Sequence, residues 1–198
     1  ISNVGKIIIM VWFVIYAISI IYPLIWMIIS GFKTKSELFL STWKLPDQLL
    51  FQNYKTAWDV GVGKYFFNSI FVTSTSVALS VLISSFCAFT LSRFRFKYEK
   101  MILVVVVGAL MLSPQVSLIS LFKLVQTLNI YDTYWGMIIP YVAFRIPFDT
   151  FLIRGYMMSL PISIEEAAFV DGCSTIQIFW KIVMPMSKPI IATAALLA

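Results

Sequence analysis

The chain has 198 residues, a mean hydropathy of +0.91, 60% hydrophobic residues, 12% charged residues and no histidine. A soluble globular domain carries about 25% charged residues, so this composition excludes that class and points to a bilayer. The formal net charge of +6 calls for no nucleic-acid partner, because lysine and arginine beside anionic lipid headgroups account for such an excess.

The first apolar stretch, Ile7 to Gly31, exceeds the roughly 20 residues a helix needs to cross the hydrocarbon core. It is too long for a signal-peptide core and lacks a small-x-small cleavage pattern, so it reads as a retained anchor. Residues 32–64 form a longer polar loop, in which Lys33, Lys35, Lys44, Lys55 and Lys64 are offset by Glu37, Asp47 and Asp59. The second stretch, Tyr65 to Leu91, contains Ser76, Ser80, Ser84 and Ala88 at four-residue spacing. They form one ridge of small side chains, suited to a close helix seam in lipid or to a polar stripe along a pathway.

The connector Arg93-Phe94-Arg95-Phe96-Lys97-Tyr98-Glu99-Lys100 concentrates cations and reads as cytoplasmic. The third stretch, Met101 to Phe122, contains Pro114 beside Gln115, which predicts a kinked helix with an amide near mid-membrane. The fourth, Tyr134 to Ile153, contains Pro140, Arg145, Pro147 and Asp149. Arg145 and Asp149 are one helical turn apart and can pair internally; alternatively they line a water-filled path with Gln115, Tyr141, Phe144 and Phe148, whose aromatic rings suit a sugar face. The expected topology has the N-terminus inside, 32–64 outside, 92–100 inside, 123–133 outside and 154–188 inside. A further apolar run starts at Ile190 and stops at Ala198, too short to cross. The sequence therefore reads as one membrane domain, 1–198, cut within a fifth span. Cys87 and Cys173 have neither metal-site nor disulfide spacing and read as buried, reduced thiols.

The polar segment of about 161–181 interrupts these stretches. Ser163-Ile164-Glu165-Glu166 fits a capping box, which predicts a short helix from Ile164, and Asp171-Gly172 suits its end. Ala167 and Ala168 leave one face bare between carboxylates, a shape fitted to another protein's groove, where Glu165 or Glu166 would meet an arginine. Two carboxylates without a nucleophile or a metal-ligand cluster carry no evident catalysis. No residue is assigned as catalytic or metal-binding.

Glu166-Ala167-Ala168, Gly172, Ile182 and Met184-Pro185 resemble the "EAA, three residues, Gly, nine residues, Ile, one residue, Leu-Pro" signature of ABC importer permeases, with methionine in place of leucine. Gly31-Phe32-Lys33-Thr34, Leu45-Pro46, Asn53-Tyr54 and Ala88-Phe89-Thr90-Leu91-Ser92-Arg93-Phe94 are similar to the carbohydrate-uptake branch. Two departures stand out: Ser41-Thr42-Trp43-Lys44 replaces a proline-rich approach, and Arg145 stands where the branch more often has a small or apolar residue.

The resemblance implies an all-α polytopic transmembrane bundle of the type I importer class in a bacterial or archaeal cytoplasmic membrane. It implies that 161–181 is a coupling helix docking on an ATPase through Glu165, Glu166, Ala167, Ala168, Asp171 and Gly172. The implied partners are a second permease subunit, two ATP-binding subunits and an extracellular solute-binding protein. No cofactor is expected in the chain: ATP and magnesium would belong to the partner ATPase, since this sequence contains no G-x-x-x-x-G-K-[ST] run. Sugar or oligosaccharide import is the expected function. A permease for glycerol phosphate or polyamines, and an ion-coupled secondary transporter using Arg145 and Asp149, are the alternatives.

Overall fold

The computed structural model describes residues 3–198. Every regular element among them is helical. The chain packs as two units, the first ending at Phe67 and the second covering Asn68–Ala198.

The first unit begins with α1 (Asn3–Ser30), apolar on all sides, whose most hydrophobic window is 0% buried, as expected of a surface facing lipid or another chain. The loop after it folds back on the end of α1. Tyr54 donates to the Ile28 carbonyl at 2.8 Å, and the Asn53 amide donates to the carbonyls of Gly31 and Lys33 at 3.0 and 2.9 Å. These bonds satisfy carbonyls that a helix C-terminus leaves orphaned. Gly31 leaves room for the Tyr54 ring, whose hydroxyl end a Cβ there would displace. Lys33, 5% exposed, donates through Nζ to the Thr42 carbonyl at 2.7 Å and the Ser41 carbonyl at 3.3 Å.

Two short helices complete the loop, α2 (Lys35–Leu40) and α3 (Phe51–Ala57), followed by a widened turn, Trp58–Val62, broken at Gly61 with φ +146°. A capping box starts α2: the Thr34 amide donates to Glu37 Oε2 at 2.8 Å, and the Glu37 amide donates to Thr34 Oγ1 at 3.2 Å. Glu37 also accepts from the Asp47 amide at 3.1 Å, closing the loop. The Thr34 amide, then the Thr34 hydroxyl and the Asp47 amide, hold the Glu37 carboxyl down at about 2.

The second unit is built on α4 (Gly63–Arg93) and α7 (Tyr134–Ser159). They run parallel. At one end Tyr134 donates to Asn68 Oδ1 at 3.0 Å; midway Ser84 donates to the Ile146 carbonyl at 3.3 Å; at the other end Arg154 Nε donates to the Leu91 carbonyl at 3.1 Å. This pairing puts the connector after Arg93 at the same end as the polar segment after Ser159, and residues 128–133 at the opposite end, in agreement with the expected alternation of sides. The small-residue ridge is a packing seam: Ser76, Ser80, Ser84 and Ala88 are 7%, 1%, 0% and 0% exposed, which permits close approach of the two backbones.

The third apolar stretch departs from expectation. It is not one kinked helix but two short ones, α5 (Glu99–Ala109) and α6 (Leu118–Thr127), separated by an unwound stretch, 110–117. Pro114 has no N–H to give and crowds the carbonyl one turn back, while disfavouring helix at Ser113. The chain instead makes tight turns, Val116 N to Ser113 O and Ser117 N to Pro114 O, both at 3.2 Å, and the Ser113 hydroxyl donates to the Gln115 side-chain carbonyl. Three helices among the described residues are therefore long and apolar enough to cross a membrane: Gly5–Ser30, the one contained in Phe51–Arg93, and Tyr134–Ser159. After α7 come α8 (Ile162–Val170), α9 (Thr175–Ile178), a widened turn at Phe179–Val183, α10 (Met184–Met186) and α11 (Lys188–Leu197).

Because the Glu37 carboxyl is depressed below its ordinary 4.5, the stability it gives the 34–47 loop is complete above pH 4.5 and is lost as pH falls through about 2. Glu37→Gln should lower amide-exchange protection at Thr34 and Asp47 at neutral pH and flatten its dependence on pH below 4.5. Unchanged protection would show that the carboxylate does not hold this loop.

Candidate functional site

The polar segment presents two different faces. Its inner face is apolar: Ala168, Ile178, Phe179 and Val183 are at most 8% exposed and join Val81, Ala88 and Phe89 of α4 and Ile153 and Met157 of α7 in one core. Phe179 anchors it, its ring centroid 4.4 Å from Phe86 in a stacked arrangement and 5.2 Å from Phe89. Ile182 and Met184 pack on the same core. The outer face carries Glu166, Ala167 and Asp171, all exposed, together with Phe169, Val170 and Ile176 at 67%, 86% and 68% exposure.

Pro161, at φ −62° and ψ 121°, directs the chain into α8. The helix begins at Ile162 with no side-chain cap, so the capping box expected at Ser163 and Glu166 is not formed. The proline sets the entry and puts Ser163 already inside the first turn, where its hydroxyl cannot serve as the cap. A capping box does form farther on, where the Ser174 amide donates to Gln177 Oε1 at 2.9 Å and the Gln177 amide to Ser174 Oγ at 3.4 Å. The end of α8 is as expected. Gly172 takes φ +82°, its amide donates to the Phe169 carbonyl and the Cys173 amide donates to the Ala168 carbonyl, the two bonds of a Schellman ending.

The site residues divide accordingly. Glu166, Ala167 and Asp171 lie outward and are exposed. Glu165 does not: its carboxylate receives Arg93 Nε at 2.8 and 3.0 Å and Arg93 Nη2 at 2.7 Å, with the two side chains 8% and 12% exposed. Its acceptor capacity is used inside the chain, which corrects the expectation that it meets a partner's arginine. Ala168 faces the core rather than a groove, so the alanine pair splits between the two faces. In the sequence, Arg93 marks sidedness and belongs to the family-like run Ala88–Phe94, but neither role pairs it with Glu165. No periodicity links it to a carboxylate 72 residues away; only the parallel packing of α4 and α7 does.

Of the residues proposed for a path, the structure brings together Arg145, Phe148 and Asp149. Arg145 Nη2 meets Asp149 Oδ1 at 2.9 Å and donates to the Ala194 carbonyl at 3.2 Å, and its guanidinium lies 5.1 Å from the Phe148 ring centroid. Asp149 is 0% exposed. This is the internal ion pair, and it ties α7 to α11. Gln115 lies in the unwound stretch, Tyr141 is 53% exposed, and Phe144 is half-buried. Cys87 and Cys173 are free thiols, each half-buried.

Residues 80–198 match the family described as "Binding-protein-dependent transport system inner membrane component". The chain belongs to this family. A probable ABC transporter permease protein of Bacillus subtilis is 43% identical over 98% of this chain and 65% of its own length. The permease protein of a diacetylchitobiose uptake system in Streptomyces coelicolor is 34% identical over 92% and 61%. The chain thus spans somewhat less than two thirds of these relatives. The crystal structure of a bacterial ABC transporter involved in the import of the acidic polysaccharide alginate superposes with a TM-score of 0.81 at 26% identity, covering all of this chain and 71% of that one. Family and apolar helices together make this a multi-pass, all-α component of the cytoplasmic membrane, with the fold of a type I importer permease.

Losing one partner of a buried ion pair leaves the other charge uncompensated, a cost of about 3–5 kcal/mol, whereas replacing both with apolar side chains is often neutral. Asp149→Ala in the full-length permease should therefore lower its thermal midpoint in detergent strongly, and Arg145→Met/Asp149→Leu should recover most of the loss. Equal losses in both would mean that the pair is not the source of the stability.

Proposed function

We propose that this permease is one transmembrane half of an ATP-driven importer for sugars or oligosaccharides, working by alternating access, with 161–181 as its coupling segment. The observation that carries the reading is the outer face of α8: Phe169 and Val170 stand out among Glu166, Ala167 and Asp171 while the opposite face is locked into the core. An apolar patch rimmed by carboxylates on a short helix is a protein-docking surface. Its complement is an apolar groove edged with arginine or lysine on a cytoplasmic ATPase.

In this reading the energy comes from outside the chain. Two ATP-binding subunits hold ATP and magnesium, a second permease subunit completes the pathway as a heterodimer, and an extracellular binding protein delivers the solute to the outer loops. Nucleotide-driven closure does work on the spans only because the two states of the complex bind these partners differently. The carbohydrate assignment is supported by the printed descriptions of similar proteins, one a diacetylchitobiose uptake permease and one an alginate importer. The cation-rich connector 93–100, which shares its end of the second unit with α8, supports a cytoplasmic coupling segment.

The test is substrate-stimulated ATP hydrolysis by the full complex, reconstituted with ATPase, second permease and binding protein. Charge-assisted contacts contribute about 1.5–3 kcal/mol, so Glu166→Ala should weaken attachment of the ATPase roughly ten- to hundredfold. Gly172→Pro should abolish stimulation by removing the amide and the φ +82° turn that end α8. Wild-type hydrolysis and transport in both variants would overturn the docking role. Stimulation by polyamines or glycerol phosphate but not by oligosaccharides would overturn the carbohydrate assignment.

A further inference from the structure

α8 hangs between two hinges. Pro161 at its start forms no side-chain cap, and Gly172 at its end takes φ +82° with open space around it. A force applied to the outer face of such a helix would be dissipated by rotation at both ends unless another part of the chain held it. Ala168 packs the inner face of α8 on the core, and a directional hold comes from α4. Arg93 grips Glu165 with a forked pair at 2.7–3.0 Å and directs Nη2 to the Leu160 carbonyl at 3.5 Å. Arg154 of α7 reciprocates on the Leu91 carbonyl at 3.1 Å. The last turn of α4 is thus tied both to α8 and to the end of α7.

From this geometry we infer that Arg93 and Glu165 form a strut that makes α8 and α4 move as one body, so that motion of the coupling segment enters the membrane through α4. The inference rests on the docking role proposed above and assigns Glu165 a different task from Glu166. Glu165 is a positioning residue that never touches the ATPase. Two features favour α4 as the recipient. The pair is nearly excluded from water, where a forked guanidinium–carboxylate contact is both strong and directional. Beyond it, Phe86 and Phe89 of the same helix hold Phe179 of the coupling segment, ring centroids 4.4 and 5.2 Å away, so α4 meets that segment at a second place.

The experiment uses the full reconstituted complex with spin labels at Thr90 of α4 and Ser163 of α8, both exposed, in a background where Cys87 and Cys173 are replaced by serine. In the otherwise unaltered complex the Thr90–Ser163 distance should be the same in the nucleotide-free and ATP-trapped states. In Glu165→Gln the ATPase should stay attached and basal hydrolysis should persist, while sugar-stimulated transport falls about tenfold and the label distance comes to vary between states. The exchanged pair Arg93→Glu/Glu165→Arg should restore at least half of the lost transport. Should Glu165→Gln fail to assemble, Arg93→Lys, which keeps the charge but loses the fork, carries the same expectations. Wild-type transport in these variants, a distance that shifts between states without them, or an exchanged pair no better than the single variants would each overturn the strut. Failure of the docking role itself registers separately, as undiminished ATPase attachment in Glu166→Ala.

Discussion

The arrangement of this permease depends on one constraint: at membrane depth there is no water to satisfy a polar group, so a charge held there is costly unless the protein pairs it. Arg145 and Asp149 lie in the middle of a largely apolar helix, and their burial is offset because they meet each other and Arg145 also donates to the Ala194 carbonyl. That closure joins α7 to α11, and α7 also meets α10 where Tyr156 donates to the Met186 carbonyl at 3.4 Å. A cost of burial is thereby converted into a tie between helices. The unwound stretch 110–117 obeys the same rule by short turns and a Ser113–Gln115 side-chain contact.

At the polar end of the bundle the constraint relaxes, and the arrangement changes with it. Arg93, Arg154 and Glu165 sit where α4 and α7 end together, and their long side chains reach between helices rather than along them. An exposed ion pair would contribute little there; the Arg93 and Glu165 side chains are only 8% and 12% exposed. The consequence is a short helix with one face held rigidly and the other left exposed and apolar. That asymmetry is what the docking role proposed for this segment would use.

The first unit solves a similar problem locally. Its loop returns to α1 and caps the end of that helix with Tyr54 and Asn53, while Tyr22, Trp26 and Trp43 cluster beside it, ring centroids 6.1 and 6.2 Å apart. Such amphipathic rings are at home where hydrocarbon gives way to headgroups. Residues read in the sequence as a family-like outer loop, Gly31, Leu45-Pro46 and Asn53-Tyr54, prove to include the contacts that fold it.

Hydropathy and periodicity act over one or two turns of chain, and whatever depends on that range was legible before any coordinates: the membrane setting, the spans of α1, α4 and α7, the small-residue seam, the Arg145–Asp149 pair at one-turn spacing, and the glycine ending of α8. The EAA-like signature likewise carried the family. Pro114 announced a disturbance, but its size was decided by whether neighbouring turns could satisfy the freed backbone, and there the helix opened rather than bent. The start of α8 was misread because Pro161 and Ser163 offer competing entries, and the backbone angle of the proline prevailed. Glu165 and Glu166 are adjacent, identical in chemistry and indistinguishable by pattern. Only the parallel packing of α4 on α7 brings Arg93 to one of them and leaves the other free, since which carboxylate points inward depends on helix phase and on a neighbour 72 residues away.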